Sequence, residues 1–326
     1  MSERARGSGS AARPIGLAIS TVSLAAVVWW GLRQPAPALP SSAEEIWALV
    51  GAVAVYAVAT AIRSERWLAL LRHSSARPTR ADAYALTLVG YMGNNVLPLR
   101  AGDAMRVYLM APRSRTTIRN VIGSLIAERV LDILVLFALF FLLAYGVLQG
   151  IDTPNDTALG AVAVIVLGGA VLALVALRIA RRTEQGQRAI DFVRPMVTAT
   201  RELHGSHGAA MIAVTLAIWV AEAGTYLLVG DSVALDLTVV QALYLIALAG
   251  VFLLIPSGPG YVGTLDAAVL FGVHAVGGTG SEAVSYLLML RFVLVVPITL
   301  AGLAALILRY GGPSAWRSAE AEVVRL

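Results

Sequence analysis

The chain has 326 residues, of which 58% are hydrophobic and only 14% charged, against about 25% charged in soluble domains; its mean hydropathy is +0.77. That balance leaves too little polar surface for a soluble protein and predicts a polytopic membrane protein. The net charge of +5 comes from Arg, since Lys is absent, and fits Arg-rich cytoplasmic loops without pointing to nucleic acid; the lack of Cys excludes disulfides and thiolate metal sites.

In chain order, Arg4, Arg6 and Arg13 precede an apolar run, 15–32, and then Ala36-Pro-Ala38. The pattern is signal-like, but the run is as long as a membrane span and longer than a signal core, so an uncleaved first helix is expected. A second span is expected at 43–62, closed by Ser64-Glu-Arg-Trp67, with Trp67 as an interface anchor. The stretch 82–111 is apolar but interrupted, and 120–147 spans although it carries Glu128, Arg129 and Asp132. Further spans follow at 158–177 and 209–229. The basic, polar stretch 178–207 between them reads equally as an interfacial amphipathic helix or a solvated loop. A second interrupted stretch, 239–276, precedes the last span, 283–308.

The two interrupted stretches carry the strongest signal. The first contains Gly90-Tyr-Met-Gly-Asn-Asn-Val-Leu-Pro-Leu-Arg-Ala-Gly-Asp-Ala-Met-Arg106, and the second Val251-Phe-Leu-Leu-Ile-Pro-Ser-Gly-Pro-Gly-Tyr-Val-Gly-Thr-Leu-Asp266. In each, an apolar run meets Pro (Pro98, Pro256), then Gly, then an acid (Asp103, Asp266). Broken segments at corresponding places in two halves point to a transporter's binding site. If 82–111 dips in from the cytoplasm and 239–276 from outside, every Arg except Arg33, Arg129 and Arg291 falls on the cytoplasmic side, as the positive-inside rule requires. The predicted fold is an all-α helical bundle, a single membrane domain of 1–326. It is built from two inverted repeats, 1–157 and 158–326, each helix, helix, re-entrant hairpin, helix, with both termini cytoplasmic.

Non-helical backbone at membrane depth is tolerated only where protein buries it or a wet cavity adjoins it. Asn94, Asn95, Pro98 and Gly102, with Pro256, Ser257, Gly258, Pro259 and Gly260, are therefore expected at such a cavity. Half-helices beginning near Gly102 and Gly263 would turn free N–H groups toward an anion there; the alternative is a pair of loops capping ordinary helices at the surface. Glu128, Arg129 and Asp132 share one helix sector. Each would cost about 2.5–3.5 kcal/mol at a helix centre, so they should face the interior, as a headgroup or proton site or as an internal salt bridge. Glu222 and Arg291 are isolated intramembrane charges, and Arg291 needs a partner such as Asp266, Glu222 or a lipid phosphate. Arg100, Asp103 and Arg106 recur every three residues, as phosphate ligands or as positive-inside anchors. His204 and His207 are too few for a metal site, His73 and His274 stand alone, and no Walker motif, Gly-x-Ser-x-Gly or dinucleotide fingerprint is present. No metal or cofactor is expected.

At these residues the chain resembles the flippase-like family built on the membrane region of lysylphosphatidylglycerol synthases. The family pattern of Asn, Leu-Pro-x-Arg-x-Gly-Glu and a following Arg reads here as Asn95-Val-Leu97-Pro98-Leu-Arg100-Ala-Gly102-Asp103, then Arg106. Its Glu-Arg-x-x-Asp motif reads Glu128-Arg129-Val-Leu-Asp132, and its late Pro/Gly-rich turn resembles Pro256 to Asp266. Asp103 and Asp266 are one methylene shorter than the family's Glu. The synthase domain of the long members is not expected after Arg309. The resemblance implies an ATP-independent flippase of the cell membrane, not an enzyme, that moves a phosphate-bearing lipid, aminoacylated or polyprenyl-linked, and works beside a separate lipid-modifying enzyme. Arg100, Arg106, Arg129 and Arg291 would then neutralise a headgroup phosphate, with Glu128, Asp132, Asp103 and Asp266 balancing them or relaying protons. Two other readings stay open: a secondary transporter or channel for a small solute, and a membrane enzyme, or partner of one, acting on lipid-linked sugars.

Overall fold

A computed structural model describes residues 37–73, 76–97, 100–148, 205–252 and 259–312, together with residue 29. The expected spans 15–32 and 158–177, nearly all of the 178–207 stretch, and Pro98, Pro256, Ser257 and Gly258 lie outside the described residues.

The described residues form eight helices: α1 Ala43–His73, α2 Arg80–Val96, α3 Ala101–Met110, α4 Ile118–Leu148, α5 Gly205–Asp231, α6 Val239–Phe252, α7 Thr264–Ala275 and α8 Gly280–Tyr310. A 3₁₀ turn, Pro259–Tyr261, lies between α6 and α7. Three of them, α1, α5 and α8, are long and apolar enough to cross a membrane. Their outward faces carry bare apolar side chains such as Trp47, Leu300 and Leu308, the surface expected against lipid. The described residues make an all-helical membrane protein.

Both interrupted stretches are helix–break–helix. With 17 and 10 residues in α2 and α3, and 14 and 12 in α6 and α7, none of these four reaches the roughly 30 Å of a hydrocarbon core at about 1.5 Å per residue. Local chemistry sets their ends. Thr79 caps α2 by accepting from the Asp82 N–H at 3.0 Å, and α2 stops where Leu97, the residue before Pro98, takes the extended conformation (φ −101, ψ 147) that a following Pro favours. The chain re-enters helix through Arg100 at φ 56, a left-handed conformation uncommon for a non-Gly residue. Gly263, at φ 89, performs the same entry for α7. Reciprocal caps start α6 (Thr238 with Gln241) and α8 (Thr279 with Glu282), as capping boxes do.

The order long helix, broken pair, long helix occurs twice, as α1, α2/α3, α4 and as α5, α6/α7, α8. Packing follows the same correspondence. The two first helices, α1 and α5, pack on each other; α8 packs on α2, and α4 on α6. Each half's last helix therefore braces the other half's broken pair. Arg309 and the Tyr310 hydroxyl, at the end of α8, both donate to Asp82 near the start of α2 (3.0 and 3.1 Å).

Two large apolar clusters make the core. One includes Tyr56, Leu136, Trp219, Tyr226 and Tyr286; the other includes Trp67, Leu86, Met105 and Met110. Along α1, Arg63 and Arg66 fall between the residues given to the two clusters, and along α4 so do Glu128 and Asp132. The α2–α3 turn is tight enough that a Cβ on Gly102 would overlap the Gly90 carbonyl oxygen, which requires Gly at 102.

Three expectations are corrected. α1 continues to His73 rather than closing at Ser64–Trp67, because Ser64–Leu71 keeps a helical pattern with no breaker. Trp67 consequently is not an interface anchor: it is fully buried and donates its indole N–H to Ser124 at 3.0 Å. His73 does not stand alone either, since its ring stacks on His207 with centroids 4.4 Å apart.

Candidate functional site

The two breaks meet. The guanidinium of Arg100, at the first break, sits 5.3 Å from the ring centre of Tyr261 at the second, and its Nη2 lies 3.4 Å from the Tyr261 hydroxyl. A Cβ on Gly260 would lie 3.5 Å from the Asn95 carbonyl. Beside this junction is a cavity of about 140 Å³ whose walls include Tyr56, Arg63, Tyr91, Asn95, Arg100, Arg129, Asp132, Trp219, Glu222, Tyr226, Gly260 and Tyr261. That volume holds several waters. Five aromatic residues and five charged residues thus share one chamber bounded by both halves.

The charges are arranged as pairs. Arg63 is bonded to Glu222, both buried, and its guanidinium carbon also lies 4.8 Å from the Trp219 ring centre. Arg66 grips Asp132 with two nitrogens (2.7 and 3.2 Å) and Thr215 with one of them (2.9 Å); Glu128 is 3.7 Å away. Arg106 binds Glu128 at 3.0 Å and stacks 3.9 Å over the Trp67 ring. Glu128, Arg129 and Asp132 of α4 do face inward, where each meets a counter-charge from another helix. The fork of Arg suits such bidentate, aromatic-backed positions and Lys would not replace it.

Asp103 and Asp266 hold equivalent places. Each is the third residue of the helix after its break, and each binds an Arg on the next long helix: Asp103 with Arg129 at 3.2 Å, Asp266 with Arg291 at 2.5 Å. Their surroundings differ. Asp266 is 1% exposed and also accepts the Gly263 N–H at 2.8 Å, while Arg291 donates to the Gly260 carbonyl at 3.2 Å. Asp266 and Arg291 therefore tie the second break into shape. Asp103 is partly open, takes a hydrogen bond from Asn94 at 3.2 Å, and its partner Arg129 lines the cavity with a side chain 42% exposed. Asn95 donates to Thr299 on α8 at 2.9 Å.

Of the residues singled out from the sequence and described here, Asn95, Arg100, Arg129, Asp132, Glu222 and Gly260 line the cavity. Asn94, Asp103, Arg106 and Glu128 stand behind it as bonding partners. Gly102, Gly263, Asp266 and Arg291 shape the turns. Sequence reasoning passed over Arg63 and Arg66, counted as cytoplasmic anchors, and the aromatic wall of Tyr56, Tyr91, Trp219, Tyr226 and Tyr261. The available signal was the spacing Arg63, Arg66, Trp67 within an unbroken helix, which puts all three on neighbouring faces.

A second, apolar cleft of about 320 Å³ lies between α1, α2 and α8, lined by Val53, Tyr56, Ala57, Leu88, Pro297 and Ala301 among others. Tyr56 belongs to both spaces. Among the described residues no group of three or more His, Cys, Asp or Glu could hold a metal ion.

Comparison with known proteins gives two matches. Residues 14–302 match the family described as the lysylphosphatidylglycerol synthase TM region. A 93-residue segment is 36% identical to the glycosyltransferase AglD of Haloferax volcanii, covering 28% of this chain but only 15% of that protein. No solved structure matches.

Proposed function

We propose, for a chain that belongs to the family of the lysylphosphatidylglycerol synthase TM region, an ATP-independent flippase that moves a phosphate-bearing lipid between leaflets of the cell membrane. The observation that carries this reading is that a charged cavity and an apolar cleft lie side by side, with Tyr56 as a wall of both. A headgroup in the first and an acyl or prenyl chain in the second would make one amphiphile, whereas a small soluble solute has no use for the cleft. Pairing every carboxylate with Arg lets a polar chamber persist within hydrocarbon, where an unpaired charge costs several kcal/mol.

In this reading the two broken pairs enter from opposite faces as re-entrant hairpins of inverted repeats, and the Arg100–Tyr261 contact closes one side. Opening it while the hairpins rock would expose the headgroup to the other leaflet, the alternating access common to inverted-repeat transporters. Arg100 holds the phosphate, and Arg129, kept in place by Asp103, lines the chamber beside it. Both termini are cytoplasmic, and the chain acts without catalysing a reaction of its own.

The test is reconstitution into proteoliposomes with labelled anionic, zwitterionic and neutral lipids. Headgroup-dependent leaflet exchange without ATP is expected; exchange at the protein-free rate for the whole panel would refute the reading. The partial match to a glycosyltransferase favours a second reading, a membrane partner of an enzyme acting on lipid-linked sugars. Product formation from a labelled glycolipid without leaflet exchange would select it.

A further inference from the structure

The charge balance of the site says which phosphate it takes. Arg63, Arg66, Arg106 and Arg129 are each matched by one carboxylate, Glu222, Asp132, Glu128 and Asp103. The fifth guanidinium, Arg100, meets only the ring and hydroxyl of Tyr261 among the described residues. The residues of the two breaks that lie outside the description, 98–99 and 253–258, contain no titratable side chain. Among the described residues the chamber therefore carries one positive charge without a paired carboxylate.

Among the described buried donors without a hydrogen-bond acceptor are Nε of Arg100 and the indole N–H of Trp219. Both residues line the cavity, and Trp219 is 8% exposed. A buried donor without a partner is costly and is normally satisfied, so the chamber is built for a ligand that brings oxygen acceptors and one negative charge.

We infer that the ligand is a lipid phosphodiester with an uncharged polar headgroup, an inference that rests on the flippase reading above. A phosphodiester carries one negative charge and matches Arg100. A phosphomonoester carries about −1.5 to −2 at neutral pH and would leave excess negative charge in a low-dielectric chamber. An aminoacylated or amine-bearing headgroup brings an ammonium, and every carboxylate of the network is already engaged, so that cation would lie unpaired among five guanidinium groups. The aromatic walls instead suit the faces of an uncharged polyol or sugar.

The experiment measures binding apart from movement. The full-length protein in detergent is titrated with short-chain phosphatidylglycerol, phosphatidic acid, phosphatidylethanolamine, lysylated phosphatidylglycerol, and glycerophosphoglycerol without acyl chains, read by tryptophan fluorescence and thermal shift. Phosphatidylglycerol is expected to bind at least about tenfold more tightly than any other, the worth of one charged hydrogen bond. Arg100→Gln should abolish the preference and Arg100→Lys should keep part of it. Equal or tighter binding of phosphatidic acid or the lysylated lipid overturns the inference. So does equal binding of the chain-free phosphodiester, which would mark a soluble ligand, and so does no binding at all. The wild-type ranking alone decides the matter if a variant fails to fold. Selective binding without leaflet exchange in proteoliposomes would uphold the headgroup assignment while refuting the flippase.

Discussion

Arg100 and Tyr261 come from breaks 161 residues apart in the sequence, yet the guanidinium of one rests 5.3 Å from the ring centre of the other. They join the two halves at the wall of the charged chamber, at a position where Arg100 also holds a left-handed backbone. Strain kept at such a place marks a device held in position by its surroundings.

If this contact is a gate, linking it should stop movement. Because the chain has no native Cys, Cys at 100 and 261 can be bridged by a short bifunctional thiol reagent. Leaflet exchange is expected to fall to background when the bridge forms and to return when a cleavable bridge is reduced. Unchanged exchange with a complete bridge would show that the breaks do not separate during transport.

The Arg63–Glu222 pair should be unequal in its single and double variants. Glu222→Met strands a buried guanidinium and is expected to cost about 3–5 kcal/mol, whereas Arg63→Met with Glu222→Met restores most of that, because apolar replacement of a whole buried pair is often neutral. Denaturant unfolding in detergent measures both. A double variant as unstable as the single one would show that the pair is not isolated in the way its geometry indicates.

Trp67 supports Arg106 by its face and Ser124 by its N–H. Trp67→Phe keeps a ring beneath the guanidinium and is expected to cost about 1 kcal/mol for the lost hydrogen bond. Trp67→Ala removes the packing as well and should cost about 3–5 kcal/mol. Equal losses for the two variants in thermal unfolding would contradict the stacked arrangement.

Asp103 and Asp266 are matched in position but not in task. Asp266→Asn should mainly destabilise the protein, since it weakens both the Gly263 cap and the Arg291 pair. Asp103→Asn should mainly alter lipid movement, since it frees Arg129 at the cavity with less loss of buried bonding. Comparing melting temperature with exchange rate for the two variants separates these outcomes; the reverse assignment would overturn the division.

Sidedness is tested by single Cys at 94, 100, 257 and 263, labelled from each side of sealed vesicles. Positions 94 and 100 are expected to react from the cytoplasmic side, and 257 and 263 from the outer side. The opposite pattern would rule out the topology read from the Arg distribution.

Much of this protein was legible in its sequence because a membrane imposes strict rules on local composition. The residue before a Pro is disfavoured in a helix, so Leu97 leaves the helical conformation ahead of Pro98 and α2 comes out short, whereas α8 continues through Pro297. Gly at 102 follows from the close turn, and charges at 128, 129 and 132 had to face inward. The reach of α1 was missed because hydropathy falls at Arg63, and a falling hydropathy reads as a loop. What compensates Arg63 and Arg66 is Glu222 on α5 and Asp132 on α4, distant in sequence and invisible to any local window.

By itself, then, the sequence determined that the chain is a helical membrane protein of this family, where its helices break, and which charges must be inward. Only the tertiary structure decided how the charges are matched, that Asp266 braces a turn, and that Arg100 has no carboxylate partner among the described residues. The physical reason is that helix breaks and burial depend on neighbouring residues, while charge balance is settled between helices that meet only after packing.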